Sequence, residues 1–285
     1  MENRVIHIWG GAGSIGSELV RQLAISGNEL TVLDIDETRM FDLVEELRLD
    51  GLNVRGFVAD VRDKEFISNY MQNNSYPDYV INAAARKHVT PMEDTPMEAV
   101  STNIGGVFNL INFCNKYHCK LIQISTDKVV NAACIMGATK KVAELMVRNA
   151  RYVSVRFGNV MGSRGSVIPI WQKQMEQGKP LTVTDERMER YMMTIEEACS
   201  LVIEAAQMED VEGKVVCLDM GARIKILDLA KEILKRSGME NIRPDGSIGD
   251  SLRMIGMRQG EQLVERLMTE DEEESAEKRG KFWIW

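Results

Sequence analysis

Histidine and cysteine are scarce in this chain of 285 residues, at three and five copies. His7, His88 and His118 leave few candidates for a Ser-His-Asp hydrolase, and His7 falls inside an apolar run that reads as a core strand. Five cysteines make no disulfide framework in a chain of this length. Cys114 and Cys119 flank "NKYH", but no second Cys/His pair completes a tetrahedral set, so no metal is expected. Both read as small hydrophobes where a helix ends and a buried strand begins. Basic charge is also short: 35 Lys and Arg against 43 Asp and Glu, net -8, which argues against a nucleic-acid groove. No apolar run approaches the roughly 20 residues of a membrane helix, so no membrane partner is expected. "MENR" leads straight into a strand without a signal-peptide apolar region, and a cytoplasmic protein is the expectation.

What is present is a rhythm. "RVIHIWG", "ELTVLDID", "NVRGFVADV", "PDYVINAAA", "CKLIQISTD" and "RYVSVRFGNV" are short apolar runs, separated by segments with helical periodicity, among them "DKEFISNYMQNN" and "PMEAVSTNIGGVFNLINFCNKY". Strand-helix alternation of this kind predicts an α/β fold with a doubly wound parallel sheet of the Rossmann type. After Val160 the rhythm breaks into a Gly/Ser loop, a short helix and irregular polar stretches. We expect residues 1–160 plus about 195–221 to form the sheet domain. Residues about 161–194 and 222–285 would form a smaller, discontinuous C-terminal substrate lobe. "KILDLAKEILKRSG" reads as an amphipathic helix, "TEDEEESAEKRGK" as a solvated helical face, and "FWIW" as a short edge strand.

"GGAGSIG" spaces Gly10, Gly13 and Gly16 as G-x-x-G-x-x-G between the first strand and its helix. Glycines there let a pyrophosphate approach the backbone at a helix N-terminus, with Ser14 and Ile15 beside it. Asp34 ends the second strand about 20 residues on, where a carboxylate meets the adenosine ribose hydroxyls. No arginine stands immediately beside it in sequence, so NAD is expected rather than NADP. Asp60 and Val61 end the third strand near the adenine, and Ala83, Ala84 and Asn103 complete the expected cofactor contacts.

The glycine spacing, "NAAA" and the lysine of "MGATK" resemble extended short-chain dehydrogenase/reductases. Over nearly the whole chain, "AAARKHVTPMEDTPMEAVSTNIGG", "ISTDKVVN", "MGATKKVAE", "RFGNVMGSRGSVIP", "RYMMTIEEA" and "KILDLAKEI" resemble the CapD-like polysaccharide-biosynthesis family, the nucleotide-sugar 4,6-dehydratases. The resemblance implies an NAD-dependent lyase acting on UDP-N-acetylglucosamine and giving a UDP-4-keto-6-deoxy sugar. C4 is oxidised, water leaves across C5 and C6, and hydride returns to C6. It further implies Thr126 to orient the hydroxyl, Asp127 as acid, Lys128 as base and Lys140 to hold the cofactor ribose. A homo-oligomer is expected.

Met136 stands four residues before Lys140, where most short-chain dehydrogenases have a tyrosine. A thioether exchanges no proton near neutral pH. Either the site is silent or another group takes the proton, and Met136 resembles the methionine of one dehydratase branch. On the substrate side, Lys87 and His88 follow strand four, and Asn159, Ser166 and Val167 are placed to line a sugar-diphosphate pocket. Arg190 and Arg258 are the expected diphosphate clamps, since guanidinium matches phosphate in a fork, and Glu261 is expected at the nucleotide ribose. A nucleotide-sugar epimerase on the same fold, and a catalytically silent NAD-binding module, are the competing readings.

Overall fold

A computed structural model describes residues 1–70, 75–238 and 251–285. The six apolar runs become parallel strands: β1 (Val5–Trp9), β2 (Glu29–Asp34), β3 (Val54–Val58), β4 (Tyr79–Asn82), β5 (Lys120–Ile124) and β6 (Val153–Arg156). Ile6, Ile8, Leu30, Val32, Val80 and Ile81 are fully buried, as strands covered by helices on both faces require. Their order is β3-β2-β1-β4-β5-β6, and Val215–Leu218 adds a seventh parallel strand beside β6. The chain therefore reverses direction between β1 and β4, which opens a crevice at the carboxyl ends of those strands. His7 lies at the centre of the sheet, edge-on to Tyr70 with ring centroids 5.4 Å apart. Burial, aided by Arg55, pushes its pKa down to about 3, so it is a neutral core group.

Several elements differ from the sequence reading. The long helix expected up to Tyr117 is α-helical over Pro96–Ala99, π-helical over Val100–Gly106, and α-helical again over Val107–Tyr117. The wider π turn ends at Gly106, where a Cβ would lie 2.6 Å from Val61, so only glycine fits. The helix after β3 spans Lys64–Tyr70, and the rest of "DKEFISNYMQNN" lies outside the described residues. Strand six stops at Arg156, and Asn159–Val160 turns away to pair with Met192–Met193.

The C-terminus is corrected most. "FWIW" does form a strand, Phe282–Ile284, but an inner one, antiparallel to Val215–Leu218. The outermost strand is Glu277–Arg279, whose charged side chains suit an edge. Residues 277–285 thus complete the large sheet rather than the second lobe. The acidic run is helical only over Glu270–Ser275, started by a Thr269–Glu272 capping box. Glu272 is not solvated: it reaches the fully buried Arg156, whose Nη1 donates to it at 2.7 Å.

Helices Val167–Glu176 and Ile226–Arg236 and strand Leu181–Val183 pack a small core of their own. It contains Trp171, Leu181, Val183, Met188, Ile226, Ala230 and Leu234. Ile226, Ala230 and Leu234 come from one side of helix Ile226–Arg236, as its period predicts. Among the described residues, no helix is long and apolar enough to cross a membrane.

Candidate active site

The glycine turn follows β1 directly. Gly10 takes φ +70°, and a Cβ there would lie 2.4 Å from the Ala84 backbone nitrogen. A Cβ on Gly16 would lie 2.1 Å from the Gly10 carbonyl oxygen. Helix Ser14–Ala24 begins at Gly13 with no side-chain cap and no acid in its first turn, leaving its free amides for an anion. The Asp34 carboxylate accepts from the Ala12 and Asp36 amides, both at 2.9 Å, which fixes it at the rim of a 340 Å³ cleft. Asp60, Val61, Ala83 and Ala84 line the same cleft. The cradle, the uncapped helix and the carboxylate together fit a dinucleotide.

Two expected cofactor contacts look different in three dimensions. Asn103 is buried and its amide is used within the protein: it accepts from the Arg86 amide at 2.8 Å and donates to Arg86 O and Thr139 Oγ1. It pins the loop after β4 to the Lys140 helix and does not line the cleft. Asp60 is gripped by Arg62, whose Nε donates at 3.0 and 2.9 Å to its two oxygens. That hydrogen bonding holds the Asp60 carboxyl below its usual range. Arg39, one turn into the helix after β2, also lines the cleft, but pairs with Asp36 at 3.0 Å.

The strand end after β5 carries the chemistry. Thr126 caps a 3-10 turn, Asp127–Val129, and the Asp127 amide donates to Phe157 O, tying the turn to the next crossover. Helix Ile135–Asn149 then starts hard against that turn. A Cβ on Gly137 would stand 2.3 Å from Lys128 O, so glycine between Met136 and Lys140 permits the approach. A cavity of 270 Å³ opens there, lined by Ser14, Ile15, Lys87, His88, Thr126, Lys128, Met136, Lys140, Asn159 and Ser166, among others. It shares Ala83 with the dinucleotide cleft. It shares Lys128, Asn159 and Ser166 with a third cavity, lined by Val167, Arg190, Arg258, Glu261 and Glu265. Three cavities thus run in series.

Charges in this run are strongly perturbed. Lys128 Nζ donates to Asp127 Oδ1 at 3.0 Å and Asn159 Oδ1 at 3.1 Å, and pairs with Glu265 Oε1 at 3.1 Å. Burial would lower its pKa, but the two carboxylates outweigh burial and raise it. Asp127, which lies behind the cavity wall, is pushed up to about 6 by burial, partly opposed by Lys128 and reinforced by Glu265. Its Oδ1 accepts from Thr126 Oγ1 at 3.0 Å. Lys140 is brought down to about 8 by burial, partly offset by Glu144, and its Nζ donates to Ile124 O at 2.5 Å. Ser166 Oγ and Asp127 Oδ2 are buried without a hydrogen-bond partner.

Arg190 lines the third cavity, and most of its donors are already engaged within the protein. Its Nη1 donates to Glu189 O and Leu263 O, its Nη2 to Gln262 O, and its Nε pairs with Glu265 at 3.2 Å. Four of the five guanidinium donors are therefore engaged, three of them with the 262–265 loop. Arg258 and Glu261 do line the third cavity, with the Arg258 amide donating to Glu261 at 2.9 Å. Lys87 holds Arg164 O at 2.8 Å, and the His88 ring packs where a Gly165 side chain would stand. Glu265 escaped the sequence reading. It sits in "QLVERL", where no spacing marks it among the acidic residues.

A family model described as "Polysaccharide biosynthesis protein" matches residues 6–285. The capsular polysaccharide biosynthesis protein CapD of Staphylococcus aureus is 40% identical over 95% of this chain and 46% of its own length. The chain thus spans about half the length of the first curated relatives it matches. A UDP-N-acetylglucosamine 4,6-dehydratase (inverting) of Campylobacter jejuni is 33% identical over 94% of this chain and 78% of its own. UDP-glucose 4-epimerases of Rickettsia match as well, at 31 to 32% identity. Among solved structures, Pen from Bacillus thuringiensis superposes with a TM-score of 0.90 at 33% identity, covering 99% of this chain and 89% of that one.

Proposed function

The chain belongs to the polysaccharide biosynthesis protein family, and from that premise we propose an NAD-dependent nucleotide-sugar 4,6-dehydratase acting on UDP-N-acetylglucosamine. One observation carries the reading: Lys128, held between Asp127 behind the wall and Glu265, lines both the cavity beside the dinucleotide cleft and the second-lobe cavity. A C4 epimerase moves hydride off and onto C4 and has no elimination for such a set to perform. A silent binding module has no use for it either.

NAD, held by the glycine turn and Asp34, would supply a reversible hydride acceptor. Thr126 orients the C4 hydroxyl, whose proton needs an acceptor that the Met136 thioether cannot be. Lys140, desolvated in the cavity that Met136 also lines, takes it. The resulting C4 ketone acidifies C5. All three Lys128 N–H bonds are engaged, so Lys128 takes the C5 proton only after passing one back to Asp127. Asp127 returns that proton through the Thr126 hydroxyl to the departing C6 oxygen, and Lys128 reprotonates C5 after hydride reaches C6. The proton first taken at Lys140 balances the one lost with water.

Incubating purified protein with UDP-N-acetylglucosamine and following products by NMR tests the reading. A 4-keto-6-deoxy sugar is expected, and a C4 epimer without loss of water would replace the proposal. Two further results are expected. Because Arg39 is already paired with Asp36, Asp34 should favour NAD over NADP, and Asp34→Ala should narrow that preference in titrations of cofactor-stripped protein. Tighter NADP binding in the unaltered protein would refute this. C4 oxidation, read as reduced-cofactor absorbance in a single turnover, should rise with pH through about 8 as Lys140 loses its proton. A general base must be deprotonated to act, so a flat profile between about pH 7 and pH 9 would exclude Lys140 from that step.

A further inference from the structure

Lys128 comes from the sheet domain, but one of its three partners does not. Glu265 lies on the loop after the second-lobe strand Leu252–Met254 and is 5% exposed. Arg190 fixes that loop through its carbonyls, and a parallel bridge joins Glu189 to Val264. The two Glu265 oxygens are divided. Oε1 meets Lys128 at 3.1 Å, while Oε2 meets Arg190 at 3.2 Å and accepts from Asn159 Nδ2 at 3.2 Å. Asn159 in turn accepts from Lys128, which closes a ring of hydrogen bonds.

We propose that Glu265 is a positioning residue for the dehydration step, supplied by the second lobe to hold the Lys128 ammonium between two carboxylates. This rests on the dehydratase reading. The cluster of Asp127, Glu265, Lys128 and Arg190 is charge-balanced, so a proton can shuttle between Lys128 and Asp127 without leaving net charge buried. Without the Glu265 charge the cluster is cationic, the Lys128 ammonium is less stable, and Asp127 is a stronger acid that holds the shuttled proton less well. The groups facing Lys128 are Asp127 on its own turn, Glu265 and Arg190 from the second lobe, Lys87 from the loop after β4, and Cys134 at the helix start. Of the carboxylates among them, only Glu265 arrives with the second lobe, so elimination becomes competent only when that lobe is seated. Among the described residues Thr126 and Lys140 have no hydrogen bond or ion pair to Glu265, and C4 oxidation does not need it.

The test is Glu265→Gln, which keeps shape and removes charge. Unaltered protein is assayed first, and if it forms no 4-keto-6-deoxy sugar the dehydratase reading fails on its own. In the variant, dehydration should slow on the order of 10²-fold, the low end for an acid/base contribution, while reduced cofactor still forms at near the original rate. The pH profile of dehydration should move to lower pH, and Glu265→Asp, which restores charge at a shorter reach, should recover part of the rate. Independently of any substrate, NMR of the Lys128 Nζ should show it titrating at lower pH in Glu265→Gln. An unmoved Lys128 titration overturns the proposal. So does an equal fall in oxidation and dehydration, or a rise in KM alone, either of which would mark Glu265 as a structural tie between lobes.

Discussion

Asp127→Asn will oxidise C4 and stop there: reduced cofactor accumulates, and no 4-keto-6-deoxy product follows. Asparagine keeps the hydrogen bonds to Thr126 and Lys128 in shape but can neither take the Lys128 proton nor pass one on. The loss should be roughly 10²–10⁴-fold, the range for a general acid/base group. Lys128→Ala should stall at the same point, because C5 deprotonation and loss of the C6 hydroxyl are coupled through one proton. Met136→Leu is the contrast. Met136 is buried against Met92, Ala99 and Cys134, and leucine conserves its volume, so the cost should stay below about tenfold. Absorbance and product are read in the same cuvette. Turnover intact in Asp127→Asn but abolished in Met136→Leu would reverse the assignment.

The parallel sheet was readable because its inner strands are buried on both faces, which writes short apolar runs into the sequence. β1, "VIHIW", tolerates His7 only as a neutral ring against Tyr70. The C-terminal strands were harder to place. Phe282–Ile284 pairs with a strand more than 60 residues earlier, at Val215–Leu218, and nothing local tells an inner strand from an edge. The neighbouring "EKR" has no apolar signal because it is the true edge. The π segment was hidden for a different reason: "VSTNIGG" carries no local pattern that separates a π turn from an α turn, and the close approach of Gly106 to Val61 is a tertiary contact.

The candidate site divides along the same line. The glycine turn, Asp34 and the "STDK…MGATK" pair of segments are local motifs, each tied to one strand end, and the structure brings them around one cleft and one cavity. What was missed depends on distant partners. Asn103 was expected beside the cofactor, yet its amide donates to Arg86 O and Thr139 Oγ1. Arg190 has the right chemistry for a phosphate but reaches carbonyls over 70 residues away first. Glu265 is legible only once Lys128 and Arg190 are seen on either side of it.

Arg156→Met should cost the fold about 3–5 kcal/mol, the penalty for breaking a buried ion pair from one side. Arg156 is fully buried at the end of β6. Its Nε donates to Glu144 at 3.1 Å, its Nη1 to Glu272 at 2.7 Å and to Leu267 O at 2.8 Å, and its guanidinium lies 4.8 Å from the Trp285 ring. The cation therefore ties a sheet strand, the Lys140 helix, the Glu270–Ser275 helix and the C-terminal strand together. Removing it leaves the Glu144 carboxylate, 1% exposed, with only Ser125 and Lys141 as partners. The expected fall in melting temperature is roughly 10 °C for a chain of this size. Replacing Glu144 by Met in the same protein should return part of the loss, because an apolar cluster of similar volume escapes the desolvation cost that an orphaned charge bears. Acid should act on the same joint. Burial would raise the Glu272 pKa, but hydrogen bonds from Arg156 hold it at about 2. A depressed carboxyl pKa stabilises the fold above its unfolded value of 4.5, and that share is lost as pH falls from there toward about 2. In Glu272→Gln that acid-dependent share should be absent, so its denaturation midpoint should vary less with pH across the window. A Glu272→Gln midpoint that tracks the unaltered protein through acid would show that this carboxylate does not hold the joint.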